Sequence, residues 1–271
     1  MSNRPTPGRL LLMAYVYLVL IFVLAPIVVI LPMAFSEPDY LTFPPEGFTF
    51  DWFGAFFGNS RWMAASVFSL KIAVLTSVVT VVVGTMATYA LMRGAGRLGT
   101  LFQGLLIAPI VVPHIALAVA LYLFFRQTGL SGTVTGYVMA HAIIAMPFVV
   151  FTVAAALSSV DATLEDAAMS CGASRFDAFR LVTLPLILPN VLSGGLFAFI
   201  LSFDEPVISF FLAGIRDKTL PRMMFDNIEQ NLTPVIPAIA VLLTGISIFV
   251  LVSAAILRRM AQSRSMPAKE A

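Results

Sequence analysis

Apolar residues run through this sequence in long stretches that contain no charged residue. A helix needs about 20 predominantly apolar residues to cross the roughly 30 Å hydrocarbon core of a bilayer. Trimmed of their polar ends, the stretches of that length cover residues 10–34, 67–91, 102–125, 137–157, 191–213 and 236–257. No repeat or low-complexity linker separates them. The pattern predicts an all-α membrane protein with six transmembrane helices in a single domain over residues 1–271.

The composition supports the membrane class and argues against others. The 271 residues are 59% hydrophobic and only 11% charged, whereas about a quarter of the residues of a soluble domain are charged. The single cysteine, Cys171, excludes an intrachain disulfide. A net charge of +2 gives no indication of nucleic-acid binding.

The distribution of Lys and Arg predicts the orientation of the spans, since cytoplasmic loops carry an excess of both. If the N-terminus is inside, ten of the sixteen basic residues fall in inner segments: Arg4, Arg9, Arg93, Arg97, Arg175, Arg180, Arg258, Arg259, Arg264 and Lys269. Both termini are therefore expected in the cytoplasm. The first apolar run is longer than the roughly 7–15-residue core of a signal peptide, so we expect it to be retained as a span.

The chain lacks the sequence patterns of several enzyme classes. No lysine follows a glycine, which excludes a Walker A phosphate-binding loop, and the two histidines cannot form an HExxH zinc motif. No GxSxG nucleophile pattern occurs either. We therefore expect no catalytic, cofactor-binding or metal site. His114 and His141 are expected to be paired within the helix bundle, although either could instead face a solute pathway.

Two adjacent acids, Asp204 and Glu205, interrupt the fifth apolar run. If that span begins near residue 191, Asp204 lies about 20 Å into the membrane at 1.5 Å per residue. An acid near the bilayer centre costs roughly 2.5–3.5 kcal/mol, so such groups normally face the bundle interior or a water-filled cavity. Two interpretations remain open: the acids line a substrate pathway, with Asp204 facing inward, or they form an internal pair that fixes the bundle. Pro206 predicts a local break in the helix.

Residues 158–190 form the longest predicted inner loop, and they include more small and apolar residues than a solvated loop needs. Thr163 resembles the first residue of a capping box, and Gly172 can end the helix that follows. Pro185 and Pro189 are expected to close the segment, because proline interrupts helical hydrogen bonds. The loop is predicted to be a short helical hairpin that docks onto a partner. The alternative is a hairpin packed on the chain's own inner surface.

This loop carries the string DAAMSCG, followed after nine residues by VTLP. The spacing resembles the EAA motif of ABC importer permeases, in which Glu-Ala-Ala precedes a glycine and then Ile-x-Leu-Pro. The matching positions are Asp166, Ala167, Ala168, Gly172, Val182, Leu184 and Pro185. Asp166 replaces the motif's Glu, with Glu165 directly before it. The strings SFDEPVISFFLAG, IAPIVVPHIALAVAL and HAIIAMPFVV are further similar to the spermidine/putrescine branch of these permeases.

The resemblance implies a type I ABC importer permease fold in a bacterial inner membrane. It implies a second permease subunit in a heterodimer, two ATPase subunits that bind ATP and Mg²⁺, and an external solute-binding protein. The ATPase-coupling residues would be Asp166, Ala167, Ala168, Gly172, Ala173 and Phe176. The substrate would be a polyamine such as spermidine or putrescine. An opine, a phosphonate or iron are the alternatives within the family.

Two other classes remain possible from the residues alone. A secondary transporter driven by an ion gradient would explain the intramembrane acids, but it leaves the EAA-like loop unexplained. A membrane-embedded enzyme would need a metal or nucleophile pattern that the sequence does not contain. Purification distinguishes a secondary transporter from an ABC permease, because only the permease is expected to be isolated together with an ATPase subunit.

Overall fold

The computed structural model describes residues 7–94, 96–212, 214, 217–230 and 233–265. Arg4 and Lys269, which contribute to the predicted orientation, lie outside these residues, as do the side chains of Arg97, Arg258, Arg259 and Arg264. Twelve α-helices are assigned within the described ranges: α1 Pro7–Met33, α2 Asp51–Gly58, α3 Ser60–Gly94, α4 Gly96–Ile107, α5 His114–Thr128, α6 Val134–Ser159, α7 Thr163–Ser170, α8 Arg175–Ala178, α9 Leu184–Phe203, α10 Val207–Leu212, α11 Leu220–Gln230 and α12 Val235–Ser265. The predicted all-α class is confirmed.

Within the described residues, length and apolarity identify fewer membrane spans than the six predicted. Helix α1, helix α3, helix α6 and the helical stretch Arg175–Phe203 are each long and apolar enough to cross a bilayer. Helices α4 and α5 add a fifth span if the bent pair is counted as one. In α12, the apolar portion recognised within the described residues is the shorter stretch Val235–Phe249.

The third predicted span, 102–125, is not one continuous helix. The segments Leu101–Ile110 and His114–Thr128 meet at an angle of 104°. Two prolines cause the break, because Pro109 lies in a short 3-10 turn and Pro113 precedes the first residue of α5. Neither proline has an N–H to continue the ladder of α4. The first helical hydrogen bond of α5 is the one that the Leu117 N–H donates to the Pro113 carbonyl at 3.0 Å.

The start of the fifth span also differs from the prediction, because Pro185 and Pro189 do not stop the helix. Helix α8 continues into α9 through a π-helical turn, Phe179–Thr183, and the Leu184 N–H donates to the Phe179 carbonyl. The wider turn places Pro185 in the first turn of α9, where a missing N–H is tolerated. The helix then ends at Phe203, just before the break that Pro206 predicts.

One compact unit of the chain covers residues 61–225, and its core lies where α6 packs on α9. Gly194 and Gly195 allow the close approach of neighbouring helices to α9. A Cβ atom on Gly194 would lie 2.5 Å from Thr152 Oγ1 and 3.1 Å from the backbone Cα of Val149, both on α6. On the α3 side, the Ser77 hydroxyl donates to the Gly195 carbonyl at 2.7 Å.

The other unit comprises the described parts of residues 1–60 and 226–271. Helix α12 contacts α1 and α2 within it. The side chains of α1 are almost all exposed within the chain, so this apolar helix must face lipid or another subunit. In the loop between α1 and α2, Trp52 Nε1–H donates to the Ser36 carbonyl at 2.6 Å.

Candidate functional site

The predicted hairpin is present as α7, a tight turn and α8. The start of α7 differs from a capping box, because the Thr163 N–H donates to Asp161 Oδ1 at 3.0 Å and the Thr163 side chain makes no cap. Gly172 ends the helix as predicted. Its φ of +94° is one that L side chains rarely adopt, and the Ala173 N–H returns to the Ala168 carbonyl at 3.1 Å.

Most of the residues expected to contact an ATPase are exposed, and we call the surface that they form the outer side of the hairpin. Asp166, Ala167, Gly172 and Phe176 are exposed, and Phe176 leaves 65% of its surface uncovered. Ala168 and Ala173 are half-buried beside them. Small residues next to one exposed aromatic ring present a surface that a partner groove can approach closely.

The inner side of the hairpin is held by Glu165, which is buried with only 7% of its surface exposed. Its Oε2 accepts the Tyr89 hydroxyl at 2.7 Å, and its Oε1 accepts the Thr183 hydroxyl at 2.7 Å and Arg93 Nε at 3.3 Å. We call Tyr89, Arg93, Glu165 and Thr183 the Glu165 cluster. The cluster joins α3, α7 and the π-helical turn before α9.

Arg93 extends the cluster to a fourth element. Its Nη2 donates to the Val160 carbonyl at 2.8 Å and approaches the Leu157 carbonyl at 3.5 Å. These carbonyls lie at the C-terminal end of α6, where a cation is favourable because the last carbonyls of a helix lack partners. Arg93 therefore bridges a helix end and the buried carboxylate.

The charge of Glu165 is stabilised in place. Burial raises the pKa of Glu165, but the hydrogen bonds from Thr183 and Tyr89 and the positive charge of Arg93 outweigh burial. The net result holds the pKa of Glu165 below its ordinary value. The carboxylate is therefore ionised at neutral pH.

The two acids of the fifth span have different surroundings. Glu205 is buried, its Oε2 lies 2.9 Å from His114 Nε2, and its Oε1 accepts the Ile208 N–H at 2.9 Å. It therefore occupies the break between α9 and α10 and links it to the first residue of α5. Asp204, by contrast, is exposed at the end of α9. The sequence interpretation favoured Asp204 as the inward-facing acid, and within the isolated chain the buried acid is Glu205.

His141, on α6, contacts residues on both sides of the break between α9 and α10. The imidazole is fully buried, with Nδ1 2.8 Å from Ser202 Oγ and Nε2 3.3 Å from Ser209 Oγ. Ser202 lies before the break and Ser209 after it. Both histidines are therefore paired within the chain, as predicted, and together they fix the geometry of the interrupted span.

Comparison with known proteins identifies the family. The family model described as "Binding-protein-dependent transport system inner membrane component" matches residues 80–264. The chain belongs to this family. The matched region includes the hairpin, the Glu165 cluster and the break at Glu205. The predicted ABC importer permease is thereby confirmed, and this permease is a multi-pass protein of the bacterial inner membrane.

Curated relatives cover nearly the whole permease. The spermidine/putrescine transport system permease protein PotC of Haemophilus influenzae is 29% identical over 247 residues, which is 91% of this chain and 95% of the relative. The putrescine transport system permease protein PotI of Escherichia coli K12 is 29% identical over 256 residues, covering 90% and 89%. These similarities confirm the resemblance to the polyamine branch that the sequence strings indicated.

Solved structures show the same fold. A chain of a bacterial ABC transporter involved in the import of the acidic polysaccharide alginate superimposes with a TM-score of 0.72. The superposition covers 98% of the permease and 100% of that chain, at 17% identity. The fold of an ABC importer permease is thus established independently of sequence similarity.

Several residues of these sites were missed from the sequence. Tyr89 and Arg93 are four residues apart on α3, so they share one helix face, but the sequence alone indicates no partner for that face. Glu165 is, in the sequence, only the residue before the motif. The signal that could have found the cluster is a carboxylate beside the motif together with a Tyr-x₃-Arg pair at the C-terminal end of α3.

Proposed function

We propose that this chain is one permease subunit of an ATP-driven importer and couples to the ATPase through residues 158–190. In this proposal the chain has six spans, with the broken α4–α5 pair as the third and α12 as the sixth, and both termini are cytoplasmic. The observation that carries the proposal is the hairpin. One side is bound to the permease by Glu165, while the other side exposes the motif residues and Phe176.

The proposed ATPase contact uses Asp166, Ala167, Ala168, Gly172, Ala173 and Phe176. The small residues permit close approach, and Phe176 supplies an apolar side chain for a groove on the partner. ATP and Mg²⁺ would be bound by two ATPase subunits and not by this chain. Closure of the ATPase dimer would move the hairpin of this chain and that of the second permease. Because the hairpins would make different contacts with the open and the closed ATPase dimer, closure would shift the permeases between inward- and outward-facing forms.

The proposed substrate is a polyamine such as spermidine or putrescine, supported by the relatives PotC and PotI. Asp204 supports a cationic substrate because an exposed carboxylate in a span must face water or another subunit and not hydrocarbon. Glu205, the next residue, is buried and paired with His114, so Asp204 is the acid of the two that is available to a solute.

The complete importer would contain a second permease in a heterodimer and an external solute-binding protein. The family description supports a binding-protein-dependent system. One fold neighbour is an alginate ABC transporter in complex with a periplasmic protein that holds alginate pentasaccharide. Solute choice in such a system depends largely on the binding protein. An opine, a phosphonate or iron would therefore be an alternative solute for an importer with the same permease architecture.

Isolation of the complex from membranes tests the coupling proposal. The tagged permease should retain an ATPase subunit, and Phe176→Ala should reduce the retained ATPase several-fold, because the exposed apolar contact is lost. Phe43→Ala is the matched control, since Phe43 is comparably exposed at 60% but lies in the loop after α1. If Phe176→Ala retains as much ATPase as Phe43→Ala, the proposed ATPase contact through residues 158–190 is wrong.

A further inference from the structure

We propose that Glu165 is a positioning residue that makes the hairpin move as one body with α3, α6 and α9. Through this connection it sets how much solute moves per ATP hydrolysed. The inference rests on the proposed coupling function. It concerns the inner side of the hairpin, whereas the motif residues proposed to contact the ATPase lie on the outer side.

Helix α7 has little else to hold it. Among its eight residues, Thr163–Ser170, Glu165 is the one that is buried. Of its apolar residues, Ala168 and Met169 are half-buried, and Leu164 leaves 46% of its surface exposed. A short helix without a fully buried apolar side chain gains little from the hydrophobic effect. The polar contacts of Glu165 are therefore a main part of its attachment.

The contacts of Glu165 are directed at the ends of the spans. Tyr89 and Arg93 lie in the last two turns of α3, and Arg93 also bonds the last carbonyls of α6. Thr183 is fully buried in the π-helical turn that leads into α9. The Tyr89 ring packs against Phe179 of that turn, with ring centroids 4.5 Å apart. A displacement of α7 is thus passed to three spans through a single carboxylate.

The same spans pack tightly further into the unit. The Ser77 hydroxyl joins α3 to the Gly195 carbonyl of α9, and Gly84 of α3 leaves only 3.0 Å between a Cβ atom and Val149 of α6. Closely packed helices transmit displacement because their interiors compress little. A rigid attachment at Glu165 would therefore transmit a displacement of the hairpin to α3, α6 and α9. With a loose attachment, the hairpin would move without displacing these helices.

Substitutions that keep size while removing one contact test the proposal. Tyr89→Phe removes the hydroxyl but keeps the ring against Phe179, and Thr183→Val removes the hydroxyl to the other carboxylate oxygen. Thr88→Val is the matched control, because Thr88 is also fully buried on α3 but donates to the Gly84 carbonyl of its own helix. Glu165→Gln removes the negative charge that pairs with the Arg93 guanidinium.

Transport per ATP is the decisive measurement, made on the complete complex in liposomes. Hydrogen bonds to charged groups are the stronger ones, so losing one should lower the transport-to-hydrolysis ratio by roughly tenfold in Tyr89→Phe and Thr183→Val. Thr88→Val should leave the ratio unchanged. The double variant Tyr89→Phe/Glu165→Ala should be no worse than Glu165→Ala alone, because Glu165→Ala already removes the acceptor of the Tyr89 hydroxyl. A merely structural role would instead lower transport and hydrolysis together, in proportion to the complex recovered.

The position of the hairpin can also be followed without activity. Cys171 is the single cysteine of the chain and is exposed next to the turn of the hairpin. A spin label on Cys171 of the full chain in lipid nanodiscs should become more mobile in Glu165→Gln than in Thr88→Val. Equal label mobility and equal transport per ATP in the two variants would overturn the inference. Failure of the wild-type chain to associate with an ATPase would instead overturn the proposed function.

Discussion

Gly194→Ala should loosen the packing of α9 on α6. The new Cβ would lie 2.5 Å from Thr152 Oγ1 and 3.1 Å from Val149 Cα, whereas carbon atoms in contact are normally about 3.5–4.0 Å apart. The Thr152 hydroxyl could rotate only by giving up its contacts with the Phe148 and Val149 carbonyls, both at 3.0 Å. The Val149 Cα belongs to the backbone, so relief requires the two helices to separate.

The expected cost follows from two opposing effects. Adding a methyl group to a filled core destabilises by about 1–3 kcal/mol. Replacing a helical glycine with alanine returns up to about 1 kcal/mol through helix propensity. The net destabilisation is up to about 2 kcal/mol, which corresponds to a fall in midpoint temperature of up to about 8 °C for a unit of this size.

Thermal unfolding of the purified permease in detergent, at one fixed scan rate, measures this change. Gly104→Ala is the matched control, because a Cβ on Gly104 of α4 would meet nothing within 4 Å. We expect the control to be as stable as the wild type or slightly more stable. If Gly194→Ala unfolds at the same temperature as Gly104→Ala, the close approach of α6 and α9 is not as described.

Two further predictions concern the break in the fifth span. Asp204→Asn should lower polyamine uptake while the assembled complex is recovered in normal amounts, because the exposed carboxylate attracts the cation; normal uptake would exclude Asp204 from the pathway. Glu205→Ala should lower the yield of folded permease, because the Ile208 N–H and His114 lose their hydrogen-bond partner, and leaving a buried polar group unpaired costs roughly 1–3 kcal/mol. Wild-type yield and thermal stability of Glu205→Ala, compared with Asp204→Asn, would refute the structural role of Glu205.

Local features of the fold were predictable where local physics decides them. The first, second and fourth spans follow from the length of apolar chain that a bilayer requires, and α1, α3 and α6 match them, with α1 ending one residue before the predicted limit. Gly172 was predictable as a helix end because glycine adopts a positive φ without strain. The break at Pro206 followed from the missing N–H of proline.

Prolines elsewhere show why local rules are insufficient. Pro185 and Pro189 were expected to stop a helix, but a π-helical turn before Pro185 absorbs the missing hydrogen bond. Pro109 and Pro113 were placed inside a continuous span, but together they bend it by 104°. Whether a proline is tolerated depends on the hydrogen bonds that neighbouring turns can rearrange, and those are set by packing.

The pairing of residues that are distant along the chain could also not be predicted from the sequence. Tyr89 and Glu165 are 76 positions apart, and His114 and Glu205 are 91 apart. Hydrophobic periodicity gives the face of a helix but not the partner it meets. Likewise, neighbouring positions on a helix point about 100° apart, so the sequence could not decide which of Asp204 and Glu205 is buried.

Uptake of radiolabelled spermidine and putrescine tests the central claim most directly. Cells producing the complete importer are compared with cells in which only this chain is omitted. The proposed function predicts ATP-dependent uptake of at least one polyamine that disappears without the chain and returns when the chain is restored. Polyamine uptake that is the same with and without the chain would contradict the assignment of this permease to polyamine import.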